Sequence, residues 1–125
     1  MVASMAPRLD EGCFVFCPAE GWPGADASVL GAFREEEGVT LIQRLAPGTA
    51  PPPGSLAMAK ITLQVYSDLE GVGLTAAVAS ALAAEGIPCN VVAAVHHDHL
   101  FVPASQGSAA LACLQTLSRA AREAS

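Results

Sequence analysis

Positive charge is scarce in this sequence. Lys60 is the only lysine, and acidic residues outnumber basic ones twelve to six. A nucleic-acid partner requires a basic surface that displaces counterions from the phosphates. We therefore expect no binding to DNA or RNA.

Long apolar runs and targeting segments are also missing. The longest apolar stretch, Gly73–Ala84, contains Thr75 and Ser80 and is too short to span a bilayer. The first residues do not show the basic region followed by an apolar region that is typical of a signal peptide. We therefore expect a cytoplasmic protein with no membrane partner.

The cysteines do not follow a metal-binding or redox pattern. The four are Cys13, Cys17, Cys89 and Cys113, and no two of them have CxxC spacing. Their apolar surroundings favour buried free thiols in a reducing compartment over disulfides. A zinc site is disfavoured because ligand pairs at metal spacing are missing. We expect neither a metal nor a cofactor.

Apolar residues make up 52% of the chain, enough for a core, and the composition changes sharply once. Residues 45–55 are LAPGTAPPPGS, with four prolines and two glycines that cannot continue a helix or a central strand. This run predicts a linker over residues 46–59. It separates an N-terminal half (1–45) from a C-terminal half (60–125).

The C-terminal half has clear periodicity. Ile61, Leu63 and Val65 alternate with polar residues, which predicts a strand, and apolar residues at helical spacing precede Gly86. The predicted order is strand 60–67, helix 74–85, strand 89–95, strand 100–103 and helix 106–122. These are five of the six elements of a βαββαβ ferredoxin-like unit, an α+β sandwich within the α/β class. The closing strand is missing.

The N-terminal half is predicted to have few helices. Strands are expected at CFVFC (13–17), at 29–34 and at 39–44, with a tight turn over 35–38. Residues 1–9 are expected to form a frayed helix. One hypothesis is that CFVFC supplies the strand that the C-terminal half lacks.

Residues 61–102 resemble an ACT domain. The strand ends in Ser67-Asp68, Gly73 opens the helix, ALAAEGI (81–87) closes it, and Asn90-Val91 begins the next strand. FREEEGVTLIQ (33–43) together with CFVFC resembles the first half of a family of small bacterial proteins with two ACT-like halves. The resemblance implies a ferredoxin-like ACT fold in two ACT-like halves.

This resemblance also implies a function. ACT domains usually sense amino acids or other small metabolites, and they bind them where two ACT units pack side by side. We therefore expect a homodimeric, non-catalytic regulatory module that binds a small molecule, with an amino acid as the expected ligand. The implied ligand-binding residues are Ser67, Asp68, Gly71, Val72, Gly73, Leu74 and Asn90.

The residues themselves allow two interpretations of this loop. Free backbone N–H groups at the start of a helix suit a carboxylate, and Asp68 could pair with an ammonium group. Alternatively, Asp68 and the glycines only form the turn and cap the helix.

Other constellations give no convergent catalytic group. His96, His97, Asp98 and His99 are adjacent on a predicted turn and point in alternating directions, so structural or solvent-facing histidines are favoured over a metal site. Residues 35–37 (EEE) form a solvated acidic run. Cys89 could pair with a histidine, although nothing nearby activates its thiol. We expect no catalytic residues; the alternatives are an interaction module without a ligand and a small enzyme that uses the histidines.

Overall fold

The computed structural model describes residues 2–64 and 73–124, and contacts between residues divide the chain into two compact units. The larger unit joins Met1–Glu11 to Ala59–Ser125, and the smaller unit is Gly12–Met58. The strands and helices in chain order are β1 (Arg8–Leu9), β2 (Phe14–Ala19), β3 (Val29–Glu35), β4 (Gly38–Arg44), β5 (Met58–Leu63), α1 (Gly73–Ala84), β6 (Asn90–Ala93), β7 (Asp98–Pro103) and α2 (Gly107–Glu123). The division into an N-terminal half, a linker and a C-terminal half remains a prediction from the sequence.

Helix α1 follows from its pattern of apolar residues. Leu74, Val78 and Leu82 recur every fourth residue and are all buried, so they form one face of the helix. Gly86 ends the helix with a φ of +72°, a conformation that glycine adopts without steric cost. Among the described residues, no helix has both the length and the apolar character needed to cross a bilayer.

The strands of the larger unit lie in the order β1, β5, β7, β6. Strand β6 pairs antiparallel with β7, and β1 pairs antiparallel with β5 through Arg8–Thr62 and Leu9–Ile61. With α1 and α2 this is the ferredoxin-like α+β arrangement that the periodicity predicted. Two segments pair with β5 at the edge of the missing closing strand: β1 pairs with residues 61–62, and Phe14 of CFVFC pairs with Met58.

The N-terminal segment is part of the core of the larger unit. Residues 2–4 form one turn of 3-10 helix rather than the predicted frayed helix, and the Met5 side chain is fully buried. The backbone N–H of Gln64 donates to the Met5 carbonyl at 2.7 Å. On α2, Ser118 Oγ and Arg122 Nη1 each donate to the Ala3 carbonyl at 3.1 Å. The first residues therefore complete the core of the larger unit, and they are bonded to Gln64 and to α2.

The smaller unit is a three-stranded antiparallel arrangement in the order β3, β4, β2. Its buried apolar side chains include Phe14, Val15 and Val39. The register of β3 shifts at Leu30, which is the extra residue of a β-bulge. The expected strands and the tight turn at 35–38 are confirmed, and this unit contains no α-helix.

We predict that Met5→Ala destabilises the protein by about 2–5 kcal/mol, because it removes a fully buried side chain and leaves a cavity. Urea unfolding followed by circular dichroism measures this change. The control is Leu56→Ala, since Leu56 is 60% exposed. Equal stability of the two variants would contradict the role of the N-terminal segment in the core.

We also predict that Gly107→Ala destabilises the protein by about 1–3 kcal/mol. A Cβ at this first residue of α2 would lie 2.9 Å from the Ala59 Cβ on β5, so the helix would have to move away from the sheet. The matched control is Gly73→Ala at the first residue of α1, where no atom lies within 4 Å of the added Cβ. Thermal unfolding should show a lower Tm for the first variant only.

Candidate functional site

The candidate site is the end of the larger unit at which α1 begins. The connectivity defines which groups lie there. Because β6 begins six residues after α1 ends, and the turn to β7 is closed by a bond from the Ala94 N–H to the His97 carbonyl (3.1 Å), β7 starts at the α1 N-terminal end. Residues 73–74 and residues 97–98 therefore share one end of the unit.

Two of the predicted ligand residues form the start of α1. Gly73 is exposed, whereas the Leu74 side chain is 5% exposed and belongs to the core. Leu74 can therefore contact a ligand only through its backbone. The first four N–H groups of a helix have no acceptor within the helix, so this end of α1 presents donors to groups outside the helix. Ser67, Asp68, Gly71 and Val72 lie outside the described residues.

Asn90 lies at the opposite end of the larger unit. It is the first residue of β6, is exposed, and pairs with Phe101 across the ladder. Helix α1 has 12 residues and spans about 18 Å, which separates its start from Asn90. One copy of the unit does not bring Asn90 together with Gly73.

Asp98 is a residue that the sequence interpretation grouped with the histidines. It is 5% exposed and has the same strand parity as Leu100 and Val102, which are in the core beneath the helices. Its Oδ1 atom is buried and has no hydrogen-bond partner among the described residues. The signal in the sequence was an acidic residue at the start of an otherwise apolar strand, Leu100–Val102.

The neighbouring His99 lies on the other face of β7. Thr62 Oγ1 and His99 Nδ1 are 3.1 Å apart and form a hydrogen bond between β5 and β7. The rings of His97 and His99 meet edge to face at 6.3 Å between centroids, and the buried Nδ1 of His97 has no partner among the described residues. The Asp98 side chain therefore lies apart from the contact between the two imidazole rings, as the predicted alternation of side chains implies.

Burial lowers the pKa of His99 below the ordinary histidine value, and the nearby positive charges of Lys60 and His97 lower it further. The negative charge of Asp98 acts in the opposite direction. Lys60 itself forms an ion pair with Asp10 at 3.7 Å. The net effect favours the neutral form of the His99 imidazole.

The thiols and possible metal ligands do not form a reactive centre in the described part of the chain. Burial raises the pKa of the Cys89 thiol, which is the opposite of the activation that a nucleophile needs. Burial and the charge of Glu85 also raise the pKa of Cys113. In residues 2–64 and 73–124, no three His, Cys, Asp or Glu side chains are grouped so that they could hold a metal ion.

An open groove between α1 and α2 was not anticipated from the sequence. Its lining is mostly small and apolar, and includes Ala81, Ala84, Ala109, Ala112, Cys113 and Leu117. The Cys113 thiol donates to the Ala81 carbonyl at 3.5 Å. The groove lies along the second half of α1, away from the predicted ligand residues.

The fold and this end of the larger unit are those of a ferredoxin-like module, and comparisons identify the family. Two ACT-domain family models match the chain, one over residues 57–116 and the other over residues 1–47. The chain belongs to the ACT domain family. ACT domains are commonly non-catalytic regulatory modules for small molecules.

Two solved structures are similar to this chain. A protein of unknown function from Vibrio cholerae, described as a possible transport protein, is 39% identical, with a TM-score of 0.75 and 90% of each chain covered. A protein from Agrobacterium tumefaciens is 16% identical, with a TM-score of 0.59, 86% of this chain and 83% of its own covered, and shares the fold. None of the curated proteins matches the chain.

We predict that His99→Gln makes stability less dependent on pH between 7.5 and 5.5. The folded pKa of His99 is below the unfolded value of about 6.5, so the unfolded state takes up the proton first as the pH falls. This contribution is complete above that value and is lost as the pH falls through the folded pKa. The fall in Tm between the two pH values measures it.

The control for this prediction is His96→Gln, which changes an exposed histidine in the adjoining turn. It should retain the wild-type fall in Tm. If His99→Gln shows the same fall as the wild type, His99 does not cause the pH dependence.

Proposed function

We propose that this protein is a non-catalytic regulatory module that binds an amino acid at the end of the larger unit where α1 begins. The observation that carries the proposal is the position of this end within the ACT-domain match over residues 57–116. Helix α1 begins there with an exposed glycine, and its first N–H groups and helix dipole suit the carboxylate of an amino acid.

The proposed contacts keep the residues that the family resemblance implies. Ser67, Asp68, Gly71 and Val72 contribute contacts from the segment before α1, and Gly73 and Leu74 contribute backbone donors of its first turn. In this proposal the ammonium group of the ligand is paired by a carboxylate at the same end of the unit.

Asn90 enters the proposed site from a second copy of the chain. Strand β6 is the last strand in the order of the larger unit, so one of its edges can pair with another strand. Antiparallel pairing of β6 with its copy places Asn90 opposite Ala93, at the end where α1 of that copy begins. This geometry supports a homodimer in which each site uses both copies.

The cytoplasm is the proposed compartment. All four cysteines are free thiols, which fits a reducing environment.

The alternative is an interaction module without a ligand. A specific feature supports it: β3 lies at the edge of the smaller unit, and its Phe33 and Leu30 are 72% and 42% exposed. Exposed apolar side chains on an edge strand favour pairing with another chain. A cross-linked partner protein, in the absence of any ligand effect, would favour this alternative.

We predict that at least one of the twenty common L-amino acids raises the Tm at millimolar concentration. A ligand at 100 times its Kd stabilises the folded state by about 2.7 kcal/mol, which a thermal-shift assay detects. The D-enantiomer of each active amino acid is the control and should have a smaller effect. Native mass spectrometry of the same sample should show a dimer. No stabilisation by any of the twenty would contradict amino-acid binding.

A further inference from the structure

Asp98 has a carboxylate in an unusual environment. The residue is 5% exposed, and its Oδ1 atom is buried with no hydrogen-bond partner among the described residues. A buried carboxylate oxygen loses its hydration, and one without a hydrogen-bond partner regains none of that stabilisation. Such an atom lowers stability, which favours a ligand group that pairs with Oδ1 when it binds.

Three cationic side chains of the larger unit bond to groups other than Asp98. Lys60 pairs with Asp10 at 3.7 Å and lies on β5 with the strand parity of Thr62, on the face opposite the core. On α2, the Arg119 side chain donates to Thr116 Oγ1 and the Arg122 side chain to Ala3 and Ser118. His99 is on the other face of β7 from Asp98, and the ring of His97, which precedes the strand, meets the ring of His99 edge to face.

Asp98 also lies at the end of the larger unit at which α1 begins. It is the first residue of β7, two residues before Leu100, and Leu100 shares the helix-facing core with Leu74 of the first turn of α1. A carboxylate and the first N–H donors of a helix thus occur at the same end of one unit. They match the two charged groups of an amino acid, the ammonium and the carboxylate respectively.

We propose that Asp98 binds the ammonium group of the amino acid whose carboxylate lies at the first turn of α1. This inference rests on the proposed function and deepens it, because it assigns recognition of the amino group to β7 in place of Asp68. Since Oδ1 is fully buried, a ligand reaches it only after the residues over it move. Binding therefore includes a conformational step.

The test compares each amino acid that stabilises the wild type with its 2-hydroxy acid, which keeps the carboxylate and lacks the ammonium. Isothermal titration of the full chain gives both affinities for the wild type and for Asp98→Asn. The wild type should prefer the amino acid by on the order of 30-fold or more, as for a buried charge pair. In Asp98→Asn this preference should fall to a few-fold, while the affinity for the hydroxy acid is retained.

Two further variants locate the effect. Asp10→Asn removes the carboxylate that is paired with Lys60 on the other face, and it should retain the wild-type preference. Asp68→Asn tests the competing carboxylate. If Asp68→Asn alone abolishes the preference, the assignment to Asp98 is wrong.

The remaining outcomes separate this inference from the function on which it rests. If the wild type binds no amino acid, both fail. If it binds amino acids but binds the hydroxy acids equally well, amino-acid binding survives and recognition of the ammonium does not, whether or not Asp98→Asn folds. If Asp98→Asn keeps the full preference, only the role of Asp98 is overturned.

Discussion

The larger unit depends on its N-terminal segment, which pairs with the edge of β5 and buries Met5 in the core. The chain continues from β7 into α2 and adds no later strand among the described residues, so one edge of β5 needs a partner. Strand β1 pairs with that edge, and the buried Met5 fills the core next to it. Bonds from α2 to the Ala3 carbonyl hold the segment in place. Strand β1 and helix α2, which are far apart along the chain, thus together complete the ferredoxin-like unit.

This closure positions the chemistry of the site. Once β5 and β7 are adjacent, the alternation of side chains along β7 places Asp98 and His99 on opposite faces. His99 bonds to Thr62 on one face, whereas Asp98 is buried on the face that packs beneath the helices. The same strand therefore bonds to β5 through the imidazole of His99 and carries the buried Asp98 carboxylate at the end of the unit where α1 begins. Because Asp98 is the first residue of β7, two residues before Leu100, its carboxylate lies at the end of the unit.

Local patterns were sufficient for most of the fold. The alternation through Ile61 and Leu63, the four-residue spacing of Leu74, Val78 and Leu82, and the stop at Gly86 each depend on the chain near them, and each is confirmed. The site was less accessible to sequence reasoning. The histidine turn was one feature in the sequence, but the burial of Asp98 depends on helices that are distant along the chain.

The sequence by itself determined the ferredoxin-like order of strands and helices, because periodicity and turn residues act over a few positions, and its resemblance to ACT domains indicated the family. Only the tertiary structure decided which segment closes the sheet, since the pairing of Leu9 with Ile61 joins residues that no local pattern connects. It also decided that Asp98 and the start of α1 share an end of the unit while Asn90 lies at the other. Long-range packing sets those distances, and the residues on their own do not encode them locally.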